Sequence, residues 1–396
     1  MQELFIDCKD NKKTIALVEN GKLQELYEED ETQKRMEGNI YLGKVKDVLP
    51  GMQAAFVDIG EGKNTFIHIK DILPKVSNVT GNKNENLEKY NIKNYVKRDD
   101  TILVQVKKDS ISTKGARVTT HMHITGRFVV LLPENKFITV SQKIENEKEK
   151  QRLVDIVKEQ IGDKKLGVII RTAAEGKSKE VIINDIKNTL KKLEYIIKES
   201  KAEKSAPRVI LKSDTILEKI LLDLIDNKLE KIIVNDKKTM ELIKQKIDEN
   251  YDNTKVKIEL KQGDILDTYD VNDQIEKLQN RKIWLKCGGF ITIDKTEALT
   301  AIDVNSGKFT GKENLEQTVL KVNKEASVEI AKQLRLRDIG GIIVIDFIDM
   351  FEEKSKQEVI ETLREELKKD RAKTQIMEFT KLNLLEMTRK HMFSGE

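Results

Sequence analysis

The chain has 396 residues, 38% of them hydrophobic and 35% charged; at roughly 150 residues per domain this suits two to three domains with modest cores. Lys plus Arg number 72 and Asp plus Glu 68, a near balance that excludes a strong polyelectrolyte, and recurrent apolar periodicity with only 4 Pro excludes wholesale disorder. Aromatics are scarce (11 Phe, 7 Tyr, 1 Trp), so aliphatic side chains carry the packing and one large aromatic-layered sandwich is excluded.

No uncharged apolar run reaches the ~18 residues that would span a bilayer. The start, MQELFIDCKD, carries acids where a secretion signal needs basic residues and an apolar core. Cys8 and Cys287 match no CxxC metal or redox pattern. The expectation is a reduced, cytoplasmic protein with no membrane span.

In chain order, residues 2–7 and 13–18 predict short strands, with Asn20-Gly21 marking the next turn. From Gly38 to Ile72, short strands alternate with glycine turns, and residues 73–98 predict a long polar loop. DTILVQVKKDS, Asp100–Ser110, returns to strand pattern, so the block predicts a small antiparallel barrel of the OB type. Between Arg35 and Arg117 there are 15 basic and 10 acidic residues, a local excess that could attract a polyanion or simply be a lysine-rich solvated surface.

A second segment starts near Thr119. It predicts strands in HITGRFVVLLP and KFITVS, a charged helix at 145–161, the strand GVIIRT and a helix at 178–200, with Lys201–Pro207 as linker. RVILK, DTILEKILLDLI, KLEKIIVN, DKKTMELIKQKID and TKVKIEL alternate strand and helix over 208–265, an α/β pattern that the N-terminal hairpin could join. From 272 onward come strands around Gly288-Gly289, a helix of about 24 residues stopped by Gly340-Gly341, the apolar strand GIIVIDFIDM and a helix at 353–369. The closing NLLEMTRK is expected to be helical.

AIDVN and VIDFID carry the strongest chemical signal. Period two puts Asp303 and Asn305 on one strand face. Asp346 ends an apolar run, where a carboxylate is costly unless paired, hydrogen-bonded or bound to a cation. Two such acids brought together would suit a hard divalent cation; the same spacing also fits strand-end acids in turns. Asp294, Glu297 and Asp349 are neighbouring acids with supporting or structural roles. Phe56 and Phe66 fit either a base-stacking barrel surface or its core. His68, Lys114 and Arg117 could meet RNA or be ordinary surface residues. Arg171-Thr172, at a strand end before Gly176, offers a guanidinium fork and a hydroxyl suited to a terminal phosphate, or forms an ordinary turn. His121 and His123 do not by themselves make a zinc site.

With GNIYLGKVKDVLPGMQAAFVDIG, TKGARVTT, IIRTAAEG, TEALTAIDVNSGKFTG, LRLRDIGGIIVIDFIDM and NLLEMTRK in that order, the chain resembles the ribonuclease E/G family over nearly its whole length. The resemblance implies an α/β multidomain fold. An RNase H-like subdomain of noncatalytic role (1–35 plus 208–272) would contain an inserted S1 RNA-binding barrel of the OB type (36–118) and a 5′-phosphate sensor (119–207). A DNase I-like catalytic subdomain (273–396) would follow. It implies a Mg²⁺-dependent endoribonuclease cutting single-stranded RNA, 5′-monophosphorylated RNA included, to 5′-phosphate products in messenger RNA decay and ribosomal or transfer RNA processing. Asp303 and Asp346 would be the metal-binding catalytic acids, and Asn305 would orient Asp303 or the attacked phosphate. Arg171 and Thr172 would grip the 5′-phosphate, and Phe56, Phe66 and Lys114 would hold RNA.

Two departures stand out. Where the family usually has Arg two residues before a Gly ahead of LLEM, this chain has Lys381-Leu382-Asn383; Lys381 would supply charge at the 5′-phosphate without the bidentate fork. The Cys-Pro-x-Cys motif that follows the MTRK segment in the family is absent from the sequence, so neither structural zinc nor a zinc-linked homo-oligomer is expected. The alternative reading is a weak or inactive S1-type RNA-binding protein.

Overall fold

The structure is a computed structural model; it describes residues 1–73, 90–110, 115–133, 135–202, 205–225, 229–250, 255–307 and 315–392. The chain divides into two compact units, one formed by Met1–Thr32 with the chain from Leu224 onward, the other by Gln33–Asp223.

Strands β1 (Gln2–Lys9), β2 (Lys12–Glu19) and β3 (Lys22–Asp30) form an antiparallel meander. Its first turn holds Asp10 and Asn11 at φ 51° and 61°, the left-handed pair that a two-residue hairpin needs; Asn20-Gly21 repeats the device at 50° and 73°.

The second unit opens with β4 (Ile40–Leu49), β5 (Ala54–Asp58), β6 (Thr65–His68), β7 (Thr101–Lys108) and β8 (Arg117–Thr119). The pairings β4–β5, β5–β6, β6–β8, β8–β7 and β7–β4 close a five-stranded barrel, the expected OB-type element. Val45, Val57, Ile67, Val104 and Val118 fill it. Ile92 and Val96, from the segment expected to be a polar loop, are also buried there. Asp71 sits two positions beyond inward-facing Ile69 and is itself buried. It is held by Arg117 at 2.7 Å and Lys107 at 2.9 Å, which offsets the cost of burying its charge.

Next, β9 (Ile124–Thr125), β10 (Val129–Pro133), β11 (Ile138–Val140) and β12 (Leu166–Ile170) form a sheet in the order β11-β12-β10-β9. Helices α1 (Glu147–Ile161) and α2 (Lys179–Ser200) pack on it through Leu153, Val157, Ile182 and Ile186. Asn146 caps α1 by accepting from the amides of Lys148 and Glu149. Strand β13 (Arg208–Leu211) pairs antiparallel with β4. That differs from the expectation that RVILK joins the α/β pattern of 208–265: a short strand with three apolar residues fits whichever sheet edge the chain meets.

After α3 (Ile216–Leu224), the first unit resumes with β14 (Leu229–Val234), α4 (Lys237–Asn250) and β15 (Lys257–Leu260). β14 runs parallel to both β1 and β15, giving the order β15-β14-β1-β2-β3. The hairpin therefore joins the later α/β strands, and the chain between β3 and β14 is an insertion in sequence. The short helices α5 (Ile265–Thr268) and α6 (Asn272–Glu276) follow, and Ile265, Leu266 and Val271 join a core with Phe5, Val18 and Ile233.

The remaining elements are β16 (Lys282–Trp284), β17 (Phe290–Lys295), β18 (Leu299–Asn305), α7 (Leu315–Leu336), β19 (Gly341–Asp346), α8 (Glu353–Leu367), β20 (Thr374–Phe379) and β21 (Leu384–Arg389). They build a six-stranded sheet in the order β16-β17-β18-β19-β21-β20. Only β18 and β19 are parallel neighbours, joined through α7, and every other adjacent pair is antiparallel. Helices α7 and α8 cover one face: Ile302, Val304, Ile343, Ile345, Leu385 and Met387 pack against Val322, Ile330, Val359 and Leu363. NLLEMTRK is thus a strand between β19 and β20, and the helical expectation is corrected. Leu385, Met387 and Arg389 are buried while the residues between them are exposed, the period of two that a sheet imposes.

Candidate active site

β18 and β19 are paired in register from Leu299 opposite Ile342 to Asp303 opposite Asp346. Residues directly opposite share a face. Ile302 and Ile345 turn into the helix-covered core, so Asp303 and Asp346 both project from the other face. Asn305, two residues on, donates its side-chain amide to Asp303 Oδ2 at 2.6 Å. The chain beyond Asp346 is held by buried Asn323 of α7, whose amide donates to the Ile348 carbonyl at 2.8 Å and whose oxygen accepts from the Ile348 amide at 3.1 Å. Partial burial and then the neighbouring carboxylates of Asp303 and Asp349 push the Asp346 carboxyl above its ordinary value.

The other acids divide. Asp349 accepts from Asn383 at 3.3 Å. Asp294 faces the same side as Asp303 and is taken by Arg281, Nη2 to Oδ2 at 2.6 Å. Glu297 lies in the turn before β18, four strand residues or more from Asp303. Among the described residues, no group of three or more His, Cys, Asp or Glu side chains is arranged to hold a metal. The donor set is therefore two carboxylates with an amide beside them, all oxygen at the open positions. That suits a small hard cation that binds through one or two carboxylates and keeps several waters.

On the barrel, Phe56 and Phe66 are directly opposite on β5 and β6, with ring centroids 6.3 Å apart at 67°. Both are half-buried on the outer face while Ala55, Val57 and Ile67 point inward. His68 lies one pleat from Phe66; its Nδ1 accepts from the Lys70 amide. Burial, then Lys70 and Arg117, lower its pKa. Lys114 lies outside the described residues.

Arg171 ends β12. Its guanidinium donates to the Gly126 and Arg127 carbonyls, both at 3.1 Å, and to Asp223 Oδ1 at 2.7 Å. Asp223 is a partner that no local motif announced. The Thr172 hydroxyl shares a 2.8 Å hydrogen bond with Ser141. Gly176, at φ 68°, donates its amide to Glu149 Oε1 at 2.8 Å. Glu149 also takes both Nε and Nη2 of Arg152 at 2.7 Å. Arg152 first, then the Gly176 amide, hold the Glu149 carboxyl at about 2, below its ordinary 4.5. A depressed carboxyl stabilises the fold fully above pH 4.5, and that contribution disappears as pH falls through about 2. Glu149→Gln should therefore cost about 1 kcal/mol at pH 7 and roughly half of that at pH 3. Urea midpoints of parent and variant at both values test this; a gap that does not narrow would refute it. Lys381 is exposed in the turn between β20 and β21. It belongs to the first unit, whereas Arg171 and Thr172 belong to the second.

Comparison with known proteins follows the same lines. Residues 123–392 match the model of the Ribonuclease E/G family. Ribonuclease G of Salmonella typhimurium (strain SL1344) is 40% identical over 390 residues, covering 98% of this chain and 79% of the relative. Ribonuclease G of Haemophilus influenzae is 41% identical over 390 residues with the same coverage. Ribonuclease E of Nostoc sp. is 35% identical over 393 residues, 96% of this chain and 56% of the relative. With its paired aspartates in register on an open sheet face and its closed barrel, this chain belongs to the ribonuclease E/G family.

Proposed function

We infer that the protein is an endoribonuclease of RNA processing and decay, hydrolysing single-stranded RNA to 5′-phosphate products. The observation that carries this reading is the in-register placement of Asp303 and Asp346, with Asn305 bonded to Asp303, on the sheet face that the helices leave open. Asp303 and Asp346 would hold a divalent cation, Mg²⁺ by the all-oxygen donor set. When bound, such a cation acidifies water and neutralises charge on the phosphate. Asn305 donates to one Asp303 oxygen, which would leave the other for a cation. Hydrolysis breaks the P–O3′ bond: water's oxygen joins the phosphate and the leaving 3′-oxygen takes up a proton, giving 5′-phosphate and 3′-hydroxyl ends.

Phe56 and Phe66 would stack unpaired bases on the barrel, with Lys114 adding charge for the backbone. We assign residues 273–396 to a DNase I-like catalytic subdomain, 1–35 with 208–272 (apart from β13, which pairs with the barrel) to an RNase H-like one, 36–118 to the S1 barrel and 119–207 to a 5′-phosphate sensor. Exposed Lys381 would offer charge to phosphate from its own turn.

Incubation with 5′-labelled single-stranded RNA, with and without Mg²⁺, and end-group analysis of the products tests the reading. Mg²⁺-dependent fragments bearing 5′-phosphate, and none from matched DNA, are expected. RNA retained but uncut would overturn it in favour of an S1-type binding protein.

The sensor role has its own test. A 5′-phosphate must displace Asp223 from the Arg171 guanidinium or share it. Arg171→Ala should bring the ratio of kcat/KM for monophosphorylated over hydroxyl RNA to about 1, since the fork that binds phosphate is gone. An unchanged ratio in a variant with an unchanged melting curve would sink the assignment.

A further inference from the structure

β16 is the edge strand beside β17, and its register continues the face that carries the two acids. Trp284 lies opposite Phe290, which lies opposite Asn305; Lys282 lies opposite Thr292, which lies opposite Asp303. Trp284 is 60% exposed and is the only tryptophan in the chain. Its ring meets Phe290 edge-on with centroids 5.3 Å apart. The Lys282 ammonium lies 4.2 Å from the Trp284 ring centre and 3.5 Å from that of Phe290.

A large aromatic ring left in water forgoes the gain that burial would give it. Here the exposed ring stands beside a cation that the aromatic faces themselves hold in place. By strand spacing and rise, Trp284 lies about 12 Å from Asp303 across the same face. A flat apolar ring beside a fixed positive charge, within a short reach of a phosphate-cleaving centre, has the chemistry of a nucleotide subsite.

We propose that Trp284, with Lys282 and Phe290, forms a base-stacking subsite for single-stranded RNA next to the catalytic aspartates. The inference rests on the nuclease reading and extends it: an unpaired base stacks on the indole, the Lys282 ammonium takes the adjoining phosphate, and the strand runs over Thr292 to Asp303. Stacking without base-edge hydrogen bonds tolerates any base, so the subsite adds affinity and fixes the distance along the strand at which cleavage occurs.

The single tryptophan makes the test direct. In Mg²⁺-free buffer, a single-stranded oligoribonucleotide should quench Trp284 emission with the midpoint at which fluorescence anisotropy of labelled RNA reports binding. Under cleavage conditions, Trp284→Ala should raise KM about tenfold, with a smaller effect on kcat, and Trp284→Phe should restore most of the loss. Substrates carrying one abasic ribose, scanned along the strand, should show one position whose loss is costly in the parent and nearly free in Trp284→Ala, which a merely structural role for the ring would not produce. RNA that binds and is cut with no change in emission and no such position overturns the subsite and leaves the nuclease reading intact. RNA that neither binds nor is cut overturns both.

Discussion

Asp303→Asn and Asp346→Asn should each reduce Mg²⁺-dependent RNA cleavage by about 10³-fold or more. A divalent cation contributes several kcal/mol of charge stabilisation at a phosphoryl centre, and each 1.36 kcal/mol is about tenfold in rate. Asparagine keeps the shape of the side chain and its acceptor toward Asn305, but removes the charge. The fold should not suffer. A carboxyl held above its ordinary value, as at Asp346, is one whose ionised form the fold disfavours, so that position destabilises increasingly as pH rises through its titration range. The neutral Asp346→Asn variant should therefore melt no lower than the parent in Mg²⁺-free buffer. Added Mg²⁺ should raise the melting temperature of the parent, by mass action on the folded state, and leave both variants nearly unmoved. RNA affinity measured without Mg²⁺ should survive. Cleavage in either variant at the parent rate would remove that residue from the catalytic pair.

The largest loss of stability is expected at Arg389→Ala. Its side chain is 1% exposed and that of Asp370 2%, and the two meet at 2.8 Å. The same guanidinium donates to Asp338 at 2.7 Å and to the Ile339 carbonyl at 2.9 Å. Truncating one member of a buried pair takes the opposite charge away from the other, at about 3–5 kcal/mol. For a unit of this size that is about 10 °C in melting temperature. The cost comes from the buried Asp370 carboxylate, which keeps the Ala372 amide at 2.9 Å but loses its guanidinium, rather than from lost attraction alone. Arg389→Met combined with Asp370→Asn should accordingly be less destabilising than Arg389→Ala. A single-variant loss under about 1 kcal/mol, measured by urea unfolding, would refute this account.

That arginine also shows why β21 does not look like a strand in sequence. Leu, Glu, Met and Lys all favour helices, and a cation at an inward position breaks the apolar alternation that marks a strand. What makes Arg389 acceptable inside is Asp370 and Asp338, both distant in sequence. RVILK was legible as a strand, but its pairing with β4 was not, because three apolar residues carry no address. For Phe56 and Phe66 the alternation left core and surface open, and closure of the barrel turned both rings outward. The Arg171 motif was visible, while its Asp223 counter-ion, on a helix far along the chain, was not.

Periodicity, turn residues and six ordered motifs, all local properties of the polymer, marked out the barrel strands, the main helices and the candidate acids. Tertiary pairing alone decided that Asp303 stands beside Asp346, since the register of two parallel strands is set by how α7 packs across them. A shift of one residue would have turned one of those carboxylates into the apolar core. Side-chain alternation is written in the chain, but the partner strand and its register are chosen by the free energy of the packed whole.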